Sequence, residues 1–153
     1  MTCLFHSDLT ASQQAIEGAR RELLAVVDSL GREDLDRARK GGWPVRRVLE
    51  HVIYSEQLYA QAAAYLCGST APERPPNSSP ASGPEARTML LDSRKALLNA
   101  LAQLDMSPSA YETFYEVRRV GHEEYSVLSL LENVAHHDHE HAAQVKLIID
   151  TDT

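Results

Sequence analysis

Four long stretches of this chain repeat apolar residues every three or four positions, and that period constrains the fold more than any other feature of the sequence. A helix turns once in 3.6 residues, so this spacing gathers apolar side chains into one stripe that has to be buried. The first stripe is Ile16, Ala19, Leu23, Val26, Val27 and Leu30. Thr10 with Gln13 three residues on suits a capping box and Gly31 suits a left-handed terminator, which predicts a helix over 10–30. The second stripe, Val48, Val52, Ser55, Tyr59, Ala62 and Leu66, follows Pro44, whose missing N–H costs nothing in a first helical turn, and ends near Cys67-Gly68. The third, Ala86, Met89, Leu90, Leu97, Leu101 and Leu104, opens at Pro84 and stops before Ser107-Pro108. The fourth, Val127, Leu130, Leu131, Val134, Val145 and Ile148, starts at or near Ser126 and ends near Asp150.

The connections are as informative as the stripes. Residues 68–83 carry Pro72, Pro75, Pro76 and Pro80 among Ser, Asn and Gly, a composition that breaks helix. Extended, those sixteen residues reach about 50 Å, enough to travel the length of a helix and bring the chain back to the same end. Helices two and three can then run parallel. Between Tyr111 and Tyr125 the residues Tyr111, Phe114, Tyr115, Val117 and Val120 suit a short extended segment or hairpin bounded by Gly121. With 153 residues the chain is expected to form one domain, 1–153, large enough for a real core. Single-stripe helices bury their apolar faces most economically against one another, which predicts an all-α four-helix bundle.

Composition narrows the function classes. The formal net charge of −7 argues against nucleic acid, because Lys and Arg neutralising phosphate supply most non-specific affinity. Arg37, Arg39, Lys40, Arg46 and Arg47 cluster within eleven residues, but a solvated rim explains them. No apolar run approaches the roughly 20 residues of a membrane span, and the first residues have neither a basic start nor an apolar core, so a cytoplasmic location is expected. Cys3 and Cys67 are too few and too far apart for a disulfide framework.

The chemistry concentrates in Ala135-His136-His137-Asp138-His139-Glu140-His141, where four of the seven histidines fall within six residues. If Val134, Val145 and Ile148 point inward, His137 and His141 share their face, while His139 lies nearly opposite and meets water. Imidazoles four apart on a helix stack closely enough to share a metal ion. A third ligand has to come from another helix, and His51, between Val48 and Ser55 on the inward side of helix two, is the natural candidate. Three neutral imidazoles with open positions suit zinc, nickel or ferrous iron. Asp138, Glu140 and Glu56 are near enough to accept a ligand N–H. His6, His122, His136 and His139 are read as surface or core residues, Trp43 as a packing anchor, and Tyr54, Tyr59 and Tyr65 as core and interface.

Two segments carry a family resemblance. Trp43-Pro44-Val45-Arg46-Arg47-Val48-Leu49-Glu50-His51 resembles the start of the second helix in the DinB-like superfamily, and His137-Asp138-His139-Glu140-His141-Ala142-Ala143-Gln144-Val145 is similar to its second signature. The likeness spans nearly the whole chain in helix order. Pro44 departs from the usual Ser or Thr, and Ala142-Ala143 from the usual Arg-Gly. The resemblance implies a bundle in up-down-down-up order, a metal site at His51, His137 and His141, and a homodimer. It also implies a metal-dependent enzyme joining a low-molecular-weight thiol to an electrophile. For such an enzyme the basic residues Arg46 and Arg47 are the candidates to hold a carboxylate of the thiol. A hydrolytic variant, and a non-catalytic bundle stapled by metal that binds a partner, remain alternatives.

Overall fold

The computed structural model describes residues 2–71, 73–76, 78–105 and 108–151. The chain runs α1 (Thr2–Asp28), a single 3-10 turn (Arg32–Asp36), α2 (Val45–Leu66), α3 (Gly83–Asp105), the short α4 (Ala110–Tyr115), β1 (Arg118–Val120), β2 (Glu123–Tyr125) and α5 (Val127–Asp150). The four long helices are a four-helix bundle. Among the described residues no helix is long and apolar enough to cross a membrane.

Helix α1 begins well before the expected Thr10, because Phe5 and Leu9 extend the stripe backward and are buried, Phe5 meeting Phe114 edge-on at 5.3 Å. The expected capping box is therefore inside the helix. Gly31 is not left-handed, with φ −85°; it starts the 3-10 turn, donating its N–H to Asp34 Oδ2. Left-handed termination is found instead after α2, where Gly68 has φ +71°. There the Ser69 N–H donates to Ala64 O and the Gly68 N–H to Tyr65 O, closing the carbonyls that a helix end leaves orphaned. Ser126 caps α5 as expected, accepting from the Ser129 N–H while Ser129 Oγ accepts in return. The segment expected to be extended divides in two. Residues 110–115 are helical, with Phe114 fully buried against the bundle, and only 118–125 form a hairpin, whose turn contains Gly121 at φ +65° rather than ending at it.

The core gives the helix directions. One apolar group joins Phe5, Leu9 and Ile16 of α1 to the C-terminal half of α2 (Ala60 to Leu66), the C-terminal half of α3 (Leu97, Leu101, Leu104) and the N-terminal half of α5 (Leu130, Leu131, Val134). The other joins the C-terminal half of α1 to the N-terminal halves of α2 and α3 and the C-terminal half of α5. The order is up-down-down-up, with α2 and α3 parallel, as the long crossover requires. Gly83 seats the start of α3 on α1, where a Cβ would lie 3.1 Å from Val27 O and 3.2 Å from Leu30 O.

What separates the two apolar groups is a layer of charge. Each long helix contributes one charged side chain to this layer: Arg20, Glu56, Arg94 and Asp138, all buried. Arg20 holds Asp138 through Nε to Oδ2 at 2.8 Å and Nη2 to Oδ1 at 2.9 Å, and reaches Glu56 at 3.2 Å. Arg94 donates to Asp138 Oδ2 at 2.8 Å and to Glu56 Oε1. Remaining guanidinium donors go to the carbonyls of Leu90 and Ile16. Two positive and two negative charges cancel, and the fork geometry of arginine satisfies the carboxylates, as buried ions require.

Candidate metal site

His137 and His141 stand on successive turns of α5 and face His51 of α2. His137 Nε2 lies 3.0 Å from His51 Nε2 and 3.1 Å from His141 Nε2, and one ring nitrogen from each of the three falls within 4.8 Å of the others. Nitrogens sharing one ion at 2.0–2.1 Å lie roughly 2.9–3.4 Å apart, so the separations fit a common ion. All three side chains are half-buried at the edge of the core, next to the charged layer, since Asp138 directly follows His137.

The protonation states fit ligation. Burial, together with the neighbouring His141 and His51, pushes His137 down to about 4, and burial with His141 lowers His51. Both are therefore neutral near pH 7. His141 Nδ1 sits 2.6 Å from Gln144 Oε1, which accepts its N–H and leaves the Nε2 lone pair facing the cluster. Of the expected outer carboxylates, Asp138 and Glu56 are occupied by the two arginines, and the orienting acceptor is Gln144, one turn from His141. Tyr59 presents its ring edge-on to His137 at 5.7 Å, and burial pushes its phenol up to about 12.

His139 faces outward, 2.7 Å from Glu22 on α1, and His136 is exposed beside Glu140, so neither joins the cluster. Cys67 is a free thiol pushed up to about 11 by burial, unsuited to nucleophilic work; the side chain of Cys3 lies outside the described residues. Trp43 is not the buried anchor expected of it. It is 38% exposed, stacked beneath Arg47 at 4.4 Å and edge-on to His51 at 5.5 Å. These three residues line a cavity of about 730 Å³ between α2, α3 and the crossover. Arg47 thus reaches the site. Arg46 does not line it, being engaged with Asp36 and with the Pro80 carbonyl, where it ties the returning crossover to the start of α2.

The family model for the DinB superfamily matches residues 15–145, a span holding all three histidines, the whole of α2 and α3 and most of α5. The chain belongs to the DinB superfamily. The crystal structure of TT2238, a four-helix bundle protein, superposes on this DinB chain with a TM-score of 0.65 at 22% identity, covering 90% of this chain and 96% of that one. That likeness speaks for the fold alone. No curated protein matches the DinB chain significantly.

The lowered histidines give a signed pH dependence for the metal-free protein. His137 titrates ordinarily at 6.5 once unfolded and at about 4 when folded, so the unfolded chain takes up its proton first as pH falls. Its contribution to stability is complete above pH 6.5 and is lost progressively toward pH 4. Thermal unfolding across this range should show a steeper decline for the wild type than for His137→Gln; parallel curves would show that His137 is not held neutral.

Proposed function

We propose that the protein is a metal-dependent enzyme in which His51, His137 and His141 hold one divalent ion, zinc, nickel or ferrous iron, and which joins a low-molecular-weight thiol to an electrophilic small molecule. The observation that carries this reading is the convergence of three imidazole nitrogens, with His51 in the wall of a solvent-connected cavity. Structural sites are closed by four protein ligands, whereas catalytic ones hold three and keep a position open. The ion, when bound, would lower the pKa of a thiol and so supply a thiolate nucleophile near pH 7.

The chain's own residues prepare that chemistry. Burial keeps His137 unprotonated, Gln144 fixes the His141 tautomer, and Tyr59 packs against the His137 ring on the side facing the hairpin. Arg47, stacked on Trp43 and without a carboxylate partner among the described residues, offers its guanidinium to a carboxylate of the thiol. In the transfer, the sulfur forms a bond to the electrophilic carbon, the leaving group departs with its electron pair, and the thiol proton passes to solvent.

Protein purified without an affinity tag should contain about one divalent ion per chain. It should also consume a thiol in a panel of thiols and electrophiles, with turnover lost on chelation and in His137→Ala. Turnover that survives chelation would overturn metal dependence. Metal that raises the Tm, with no activity anywhere in the panel, would instead leave a metal-stapled binding protein.

A further inference from the structure

The cavity beside His51 carries groups that the histidine cluster does not use. On one side the Arg47 guanidinium stacks on Trp43 at 4.4 Å; on the other, Arg74 of the crossover stacks on Tyr54, also at 4.4 Å. Arg47, His51 and Tyr54 follow one another at helical spacing along α2, so the two stacked guanidiniums flank His51 within about a turn on either side. Among the described residues neither has a carboxylate partner, unlike Arg20, Arg37, Arg46, Arg87 and Arg94. Stacking holds a guanidinium flat while leaving its fork of N–H donors free, the geometry that reads a carboxylate by paired hydrogen bonds.

Among the described residues, two further atoms at this cavity lack partners. Arg74 Nε is a buried donor and Gln57 Oε1 a buried acceptor, each without a hydrogen bond. An unmade bond at a buried polar atom costs on the order of 1–3 kcal/mol, so such atoms mark a place where something else supplies the missing group. The donor wants an anion and the acceptor wants an N–H or O–H. Glu50, also in the wall, favours a positive charge, whereas Asp92 there is already paired with Lys95 at 3.1 Å. The volume of about 730 Å³ is within the range of small-molecule sites, roughly 300–1,000 Å³.

We infer that this cavity binds a zwitterion of the amino-acid or short-peptide kind, its carboxylate between Arg47 and Arg74 and its amino group toward Gln57. The inference shares Arg47 with the function proposed above, but the binding itself requires no metal.

Trp43 is the chain's only tryptophan and lines the cavity, so its emission reads occupancy directly. The test titrates trialanine, its C-terminal amide and its N-acetyl form into full-length protein, as purified and after chelation. Trialanine should change the emission saturably in both preparations, and each blocked peptide should bind at least tenfold more weakly. Arg74→Gln, on the crossover and away from the core, should lose at least tenfold for trialanine with unchanged circular dichroism and metal content. The inference is overturned if trialanine gives no saturable change, if the amide binds as well as the acid, if Arg74→Gln binds like wild type, or if acetate displaces trialanine at equal concentration. Metal content unchanged in His137→Ala, with trialanine binding retained, would sink the metal reading and leave this one standing.

Discussion

Asp138→Ala should cost about 3–5 kcal/mol of folding stability, the range for breaking a buried ion pair by removing one partner. That would be a large share of the roughly 5–15 kcal/mol of a typical domain. The reason lies in the accounting of charge across the bundle. Asp138 is 1% exposed and accepts from both arginines, so its loss strips Arg20 of two hydrogen bonds and Arg94 of one, and leaves two guanidiniums facing Glu56 alone. Water cannot reach the site to compensate. Urea unfolding with an unchanged slope and a much lower midpoint is the expected observation. Replacing all four charged residues by apolar ones of similar volume should be far less harmful than Asp138→Ala, since the desolvation penalty disappears together with the attraction. A loss below about 1 kcal/mol for Asp138→Ala would mean that solvent enters the layer, and the proposed electrostatic balance would fail.

Removing His137 should be the most damaging single change for metal binding. Its Nε2 lies between those of His51 and His141, at 3.0 and 3.1 Å, so it is the nitrogen through which the other two converge. His137→Ala should weaken binding at least a hundredfold, about 2.7 kcal/mol, and His51→Ala at least tenfold, about 1.4 kcal/mol. His139→Ala should leave it unchanged, because that ring is turned to Glu22 on the outer surface. Isothermal titration with zinc on the three variants decides the matter. A His139→Ala defect equal to that of His51→Ala would locate the metal on an outward cluster of α5, and the proposed site would have to be given up.

Much of this was legible in the residues. Apolar period alone marks the four long helices, and the period continued through His137 and His141 puts both on the inward side of α5. His51 was readable because Val48 and Val52 bracket it on a buried face. The misreadings have physical causes. Thr10 and Gly31 have the right chemistry for caps, but buried Phe5 and Leu9 extend the helix past the first, and the 3-10 turn takes the second. Residues 110–115 suit a strand by composition, yet packing Phe114 into the core overrides that preference. The charged layer had a signal that went unused: Arg20 stands four after Ile16 and three before Leu23, Arg94 four after Leu90 and three before Leu97, and Asp138 four after Val134. A charge in register with an apolar stripe is a buried charge, and a buried charge implies a partner. Arg74 had no such signal. Its place against Tyr54 depends on the path of a proline-rich segment that no periodicity describes.

The crossover between α2 and α3 divides the molecule into a part that holds its shape and a part free to diverge. The histidines and the charged layer stand on helices whose every buried face is committed, so drift there is punished by unfolding. The cavity's outer wall is loop, joined to the bundle through the Arg46 contact with Pro80 and the stacking of Arg74. Loops of this kind accept substitution and changes of length at small thermodynamic cost. Descendants of such a chain can therefore acquire new ligand preferences by rewriting about fifteen residues, while the scaffold beneath them is inherited unchanged.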